Sequence, residues 1–524
     1  MQDWLFSRAI ASPNKLALLF DEKRWTYSEL NQTVNGLCAR LQKQGIQPGD
    51  FVAILLPNSP LTVCLVHALA RLGAILVPLN TRLTPAELRW QLAHVEAKWL
   101  ISEVNFAKNA EEWLMVNCKL LMVNQAWFEP TALTIHHSLF TINNYQSVVF
   151  TSGTSGKPKG VLLTFANHFW SATASAYRLG QNTDDLWLSV LPLYHVGGLA
   201  VLFRSCLYGT AVSLHTRFDL AAINRDLNNN PITLISVVPT MLHRLLTSRT
   251  HWPASLRLIL LGGAAAAPEL VAQANALPRE PVIGEQYSVS SGQPIHNSQF
   301  PLVAPTYGLT EASSQVATML PSDAARKPGS VGKPLMFTTV KIVDEAGVER
   351  PSNQIGEIVV TGPTVMASYY QKESRDWRLE TNPNLQSPVS NLQSPINTIY
   401  TGDLGYLDDV GDLFLVQRRS DLIISGGENV YPAEVEAVLR QHPLVSEACV
   451  VGIPNAEWGQ QVVAMVQITP DATISPHDLI TFCRDHLAGY KIPRQIELVT
   501  QLPLTASGKI GRKQVTDIMN NQFT

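Results

Sequence analysis

Strand-length apolar runs that alternate with helix-like segments restrict this chain more than any other feature of its sequence. Residues 51–56, 147–150 and 256–261 are nearly continuous apolar stretches, and the segments between them carry the longer period of helices. A strand covered on both faces reads in this way, whereas a strand with one wet face alternates. The pattern predicts an α/β fold whose sheets are mostly parallel and sandwiched by helices. At 524 residues the chain is long enough for about three domains, or for one large enzyme body with a smaller appendage. With 46% hydrophobic and only 15% charged residues, it has ample material for a core, which excludes global disorder.

Residues 61–79 are long and apolar enough to require a membrane test. His67 and Arg71 near the middle, then Gly73 and Pro78, predict instead a buried helix followed by a core strand at 74–77. Residues 1–30 lack the basic-then-apolar order of a secretory signal, so a cytoplasmic protein without a membrane span is expected. Cys38, Cys64, Cys118, Cys206, Cys449 and Cys483 are scattered, with no C-x-x-C pair and no metal-type cluster, as expected of ordinary thiols in a reducing compartment. Lys and Arg total 39 against 42 Asp and Glu, a formal charge of −3. No whole-chain basic field exists for nucleic acid, and any polyanion site must be local.

Two polar stretches interrupt the α/β pattern. Residues 381–399 contain Asn-Leu-Gln-Ser-Pro twice, at 384–388 and 391–395, and read as a mobile surface insertion; residues 285–299, rich in Ser, Gly and Gln, read as a loop. After Asp403 come Gly-Asp turns and the basic pair Arg418-Arg419, then a helix from Pro432 and strands near 449–451 and 462–466. A domain boundary near Ser420 follows, giving an N-terminal domain at 1–419 and a small α+β domain at 420–524.

The local polyanion site is legible. Thr151-Ser152-Gly153-Thr154-Ser155-Gly156-Lys157-Pro158-Lys159-Gly160 follows directly on a core strand. Small hydroxyl residues and glycines turn backbone N–H and side-chain O–H groups toward one anion, and two lysines add positive charge. A Walker A loop is excluded, because Gly153 and Gly156 are three apart and Pro158 follows Lys157. A serine-hydrolase elbow is excluded by the same spacing.

With Tyr307-Gly308-Leu309-Thr310-Glu311, Tyr400-Thr401-Gly402-Asp403, Arg418-Arg419-Ser420-Asp421, Ser425 to Pro432 and Ser507-Gly508-Lys509, this loop resembles the adenylate-forming acyl-CoA ligase superfamily in motif and in motif order. The resemblance covers nearly the whole chain. Within it, Asn167 to Ala172 and Leu191 to Gly198, with Arg204 close behind, resemble the o-succinylbenzoate-CoA ligases of menaquinone and phylloquinone synthesis.

The resemblance implies a Mg²⁺- and ATP-dependent acid–thiol ligase that uses CoA as co-substrate and a small carboxylic acid, o-succinylbenzoate, as acyl donor. Residues 151–157 and Thr310 would hold the phosphates. Gly262, Gly263, Ala264, Tyr307 and Gly308 would form the adenine pocket, with Asp403 and Arg418 on the ribose. Lys509 would be the main catalytic cation, and Glu311 with Thr154 the magnesium site. His195 and Gly197 would border the acyl pocket, Arg204 would take the second carboxylate of o-succinylbenzoate, and Gly427 would line the pantetheine tunnel. The C-terminal domain would rotate between the two half-reactions.

Each residue also has an ordinary reading: Lys509 as an exposed lysine, Glu311 and Asp403 as turn carboxylates, His195 and Tyr307 as packed side chains, Arg204 as the partner of an internal carboxylate. At the level of function the alternatives are an aryl- or fatty-acid-CoA ligase, an adenylating enzyme that loads a carrier protein, and a catalytically silent nucleotide-binding protein. A homodimer or higher homo-oligomer is the ordinary assembly for a soluble enzyme.

Overall fold

The computed structural model describes residues 3–106, 110, 114–115, 117–124, 127, 145–151, 158–264, 266–280, 302–370, 397–417, 422–469, 473–503 and 510–523. Residues 152–157 (with Thr154), 285–299, both copies of the repeat, Arg418, Ser420 and Lys509 therefore lie outside the described residues.

Three sheets organise the chain. In the first, of 13 strands, the centre runs parallel in the order Leu16–Phe20, Ala211–Leu214, Leu186–Ser189, Leu234–Val237, Leu258–Leu261 and Val303–Leu309. The second, of seven strands, is parallel from Tyr145–Thr151 through Ile75–Pro78, Phe51–Leu55 and Trp99–Ser102 to Lys119–Met122. Four central strands of the first sheet and three of the second, Phe51–Leu55, Ile75–Pro78 and Trp99–Ser102, are buried at every residue, which is why they read as mostly apolar runs.

In the first two sheets parallel pairing is confined to these cores, and in the third Gly459–Ile468 and Gln495–Val499 also pair parallel. From Ser314–Thr318 to Leu413–Gln417 the first sheet continues antiparallel. The polar stretch expected to end at 399 also ends earlier, since Asn397–Leu407 is a strand paired with Gly356–Gly362.

The tested segment forms the helix Pro60–Leu72, ended by Gly73 in the left-handed region at φ 70°, and then the buried strand Ile75–Pro78. Arg71 is tolerated inside because Asp3, Asn31 and Asn35 take its guanidinium. Among the described residues no helix is long and apolar enough to cross a membrane. The third sheet has five strands from Ile423 to Val499 and carries Pro432–Leu439, Pro476–Arg484 and Arg512–Phe523.

Two buried histidines set the response to acid. Burial, with a smaller contribution from Arg71, pushes His67 down to about 4, and burial with Arg204 nearby pushes His168 down to about 3. Between these values and the unfolded value near 6.5 the unfolded chain binds more protons, so stability is lost as pH falls below about 6.5. From pH 7 to pH 5 each histidine should remove roughly 2 kcal/mol. Urea midpoints at the two pH values check this, and His67→Leu and His168→Phe should each flatten the dependence.

Candidate active site

A cavity of about 780 Å³ opens where the parallel strands of the large sheet end, the place where open α/β sheets take ligands. Thr151, Gly262, Gly263, Gly308, Thr310, Glu311 and Asp403 line one part, and Gly197, Arg204, Ser236 and Phe218 another. His195, Arg82, Gly427 and Glu428 also face it. Of the expected site residues within the described set, Ala264 and Tyr307 do not line the cavity.

Close backbone approach shapes the nucleotide side. A Cβ on Gly262 would sit 2.7 Å from Thr306 Cγ2, and one on Gly308 would sit 1.8 Å from the Ser314 carbonyl oxygen. No other residue fits there. Tyr307 is 1% exposed, and its hydroxyl donates to Asp403 Oδ2 at 2.7 Å, so it holds the carboxylate from behind. Thr401 Oγ1 accepts from the Asp403 N–H at 3.1 Å and fixes the turn. Glu311 stands in a short 3₁₀ turn and accepts from the Tyr369 hydroxyl at 2.9 Å. Among the described residues no group of three or more His, Cys, Asp or Glu converges as a metal site. A lone carboxylate fits an ion such as Mg²⁺, which takes its remaining ligands from phosphate and water.

One helix positions the acyl side. Val196–Tyr208 has His195 as its N-cap, with no side-chain capping bond. Gly197 and Arg204, seven residues apart, fall on the same helix face. Gly198 lets the helix start against Pro192, whose carbonyl oxygen would be 2.3 Å from a Cβ. Arg204 is 2% exposed, and its Nε and Nη2 have no hydrogen-bond partner among the described residues. Its guanidinium lies 5.9 Å from the centroid of the Trp187 ring, and burial lowers its pKa. A protein carboxylate as partner, the ordinary reading, is not what the geometry offers. Trp187 Nε1 donates to Ser236 Oγ at 3.0 Å, which leaves the Ser236 hydroxyl proton for another acceptor.

The third part comes from the C-terminal sheet. Gly427, at φ +84°, brings its backbone against Val238. The next residue, Glu428, accepts from Tyr194 Oη at 3.1 Å and Arg82 Nη1 at 3.2 Å, and pairs with His195 Nε2 at 3.0 Å. Burial alone would raise its carboxyl, but His195, Arg82 and Tyr194 outweigh burial and hold it down at about 2. Sequence reasoning gave Glu428, Tyr194 and Arg82 no role. Glu428 and Tyr194 lie inside the motifs at 425–432 and 191–198, which was the signal they carried, and Arg82 carried none.

Known proteins share this plan. A family model described as AMP-binding enzyme matches residues 5–370, and one described as AMP-binding enzyme C-terminal domain matches 434–509. The 2-succinylbenzoate--CoA ligase of Bacillus pumilus (strain SAFR-032) is 39% identical over 514 residues, 98% of this chain and 97% of the relative. A double mutant of o-succinylbenzoate CoA synthetase from Bacillus subtilis, bound with its product analogue OSB-NCoA, is 36% identical with a TM-score of 0.85 over 99% of this chain and 98% of that one. The Bacillus subtilis enzyme in complex with ATP and magnesium ion, also 36% identical, gives 0.69 over 98% and 99%.

Proposed function

The chain belongs to the AMP-binding enzyme family, and from that premise we propose that it is an ATP- and Mg²⁺-dependent ligase that joins o-succinylbenzoate to CoA, with AMP and pyrophosphate as the other products. The observation that carries this reading is one cavity onto which Glu311, Asp403, Arg204 and Gly427 all open. A nucleotide, a dianionic acid and a thiol-bearing arm can meet there.

In the first step a carboxylate oxygen attacks the α-phosphorus of ATP. The new P–O bond forms as the bond to the bridging oxygen breaks, and pyrophosphate leaves. Bringing the carboxylate to the phosphates opposes two charges, about 4 kcal/mol at 4 Å and an effective dielectric near 20, so cations and N–H donors must cancel that repulsion. Residues 151–157 and Thr310 cradle the phosphates, and Lys509 bridges carboxylate and α-phosphate. Glu311 and Thr154 would hold Mg²⁺, which would offset the phosphate charge. Asp403, supported by Tyr307, and Arg418 take the ribose. Gly262, Gly263 and Gly308 form the adenine wall.

In the second step the CoA sulfur attacks the acyl carbon, the C–O bond to AMP breaks, and the thiol proton passes to water. Gly427 lines the way in, and His195, held by Glu428, borders the acyl carbon. Arg204 grips the second carboxylate throughout. The higher TM-score against the CoA-analogue complex, 0.85 against 0.69 at the same 36% identity, supports assigning the present orientation of the C-terminal sheet to this second step. The chain divides into domains at 1–419 and 420–524. We also place it in the cytoplasm, as a homodimer or higher homo-oligomer, in menaquinone or phylloquinone synthesis.

Pyrophosphate release with ATP, Mg²⁺, CoA and a panel of o-succinylbenzoate, benzoate, a medium-chain fatty acid and acetate tests the reading. Preference for o-succinylbenzoate is expected, and preference for another acid would keep the ligase chemistry but remove the substrate. Lys509→Ala should slow pyrophosphate release about 100-fold. Conversion of supplied acyl-adenylate to thioester by the same variant should stay near the wild-type rate.

A further inference from the structure

Lys491 is 3% exposed and sits where the two parts of the chain meet. Its ammonium donates to Glu87 Oε1 at 2.6 Å, on the helix Pro85–His94, and to Glu434 Oε1 at 2.7 Å, on the helix Pro432–Leu439. The side chains of Glu87 and Glu434 are 9% and 8% exposed. Glu87 is fixed in advance, because its other oxygen, Oε2, accepts from the Thr84 N–H at 2.8 Å and caps its own helix. The neighbouring contacts reach in the same direction. Arg82 lies 4.7 Å over the Tyr490 ring, and Asn80 Nδ2 reaches Tyr490 Oη at 3.4 Å.

We infer that Lys491 and Glu87 form a latch that selects the domain orientation for thioester formation, and that both are positioning residues for the second half-reaction. The inference rests on the two-step reading above. Of the three charges, Lys491 and Glu434 belong to the C-terminal part and stay together when it rotates, while Glu87 belongs to the N-terminal part. Of the two pairs that Lys491 makes, the one with Glu87 reports the orientation.

The physics suits a reversible latch. A buried ion pair gains from attraction roughly what it loses in hydration, so formation adds little net stability. Removing one partner, however, leaves the other charge buried and poorly matched, which penalises the closed orientation alone. Such a contact specifies one arrangement without trapping the protein in it. The second oxygen of Glu434, Oε2, has no hydrogen-bond partner among the described residues, so the triad is short of donors and Lys491 has no surplus to lose.

Glu87→Gln is the test, because glutamine at this position still closes the capping box. Pyrophosphate release from ATP and o-succinylbenzoate without CoA should match wild type. Thioester formation by enzyme preloaded with acyl-adenylate should fall roughly 30-fold or more. Glu434→Gln, whose contact lies within the C-terminal part and leaves Lys491 paired with Glu87, should keep the thioester step within about threefold. An unchanged thioester rate in Glu87→Gln, equal losses in both half-reactions, or a larger loss in Glu434→Gln would each overturn the latch. Failure of the wild type to release pyrophosphate with any acid would instead overturn the two-step reading.

Discussion

Replacing Arg204 with methionine is expected to lower kcat/KM for o-succinylbenzoate about 10³-fold, and to leave benzoate turnover within a few-fold of wild type. Two guanidinium nitrogens without partners among the described residues, inside an apolar helix, are an unfavourable arrangement for the empty protein. A carboxylate that docks on both relieves that cost and forms two charge-assisted hydrogen bonds, each worth roughly 1.5–3 kcal/mol. Benzoate has no second carboxylate and gains nothing from the cation. The same reasoning gives an opposite sign for stability, since removing an unpaired buried charge should raise the melting temperature of the free variant. The further rise that o-succinylbenzoate gives the wild type should disappear. A variant that loses both stability and activity toward benzoate would identify Arg204 as a structural residue.

The cores were legible because their signal is local. Phe51–Leu55 and Leu258–Leu261 are covered on both faces, and four or five apolar residues in succession record that fact in the sequence itself. Gly262 and Gly308 were legible only through the motifs shared with the ligase superfamily, and the structure supplies the reason, since a Cβ there would meet Thr306 or the Ser314 backbone. Glu428 was not legible. Its partner His195 is 233 residues away, and a glutamate after a glycine pair reads as a solvated turn until the C-terminal sheet is docked. Lys491 and Glu87, 404 residues apart, look like surface charges, one in a turn and one on a helix, and only the docking of two domains buries them. Tyr307 shows the converse. Its motif suggested a ring against adenine, whereas the fold buries the ring and directs the hydroxyl to Asp403, 96 residues away. Patterns with a period of two or 3.6 residues encode which face is inside. They do not encode which distant charge will arrive there.

Gly427→Leu should leave acyl-adenylate formation near wild type and slow thioester formation about 10³-fold, a loss large enough for acyl-adenylate to accumulate. Two separate costs act at this residue. Its backbone is left-handed at φ +84°, where a side chain costs roughly 1–2 kcal/mol. A Cβ would also lie 3.3 Å from Val238 Cγ2, on the lining of the cavity through which the thiol must pass. Alanine meets the first cost and part of the second, so Gly427→Ala should lose only about tenfold. Leucine adds three carbons with no room except the tunnel itself. Gly426 cannot yield the space, because it too is left-handed, at φ +60°, with Trp458 2.8 Å from its own Cβ position. The defect should therefore grow with side-chain volume and appear only when CoA is the nucleophile. Lys509→Ala should give the reverse pattern, with pyrophosphate release slowed and supplied acyl-adenylate still converted. If Gly427→Leu instead reduces pyrophosphate release and thioester formation equally, the glycine serves folding of the loop and the tunnel must run elsewhere along the domain boundary.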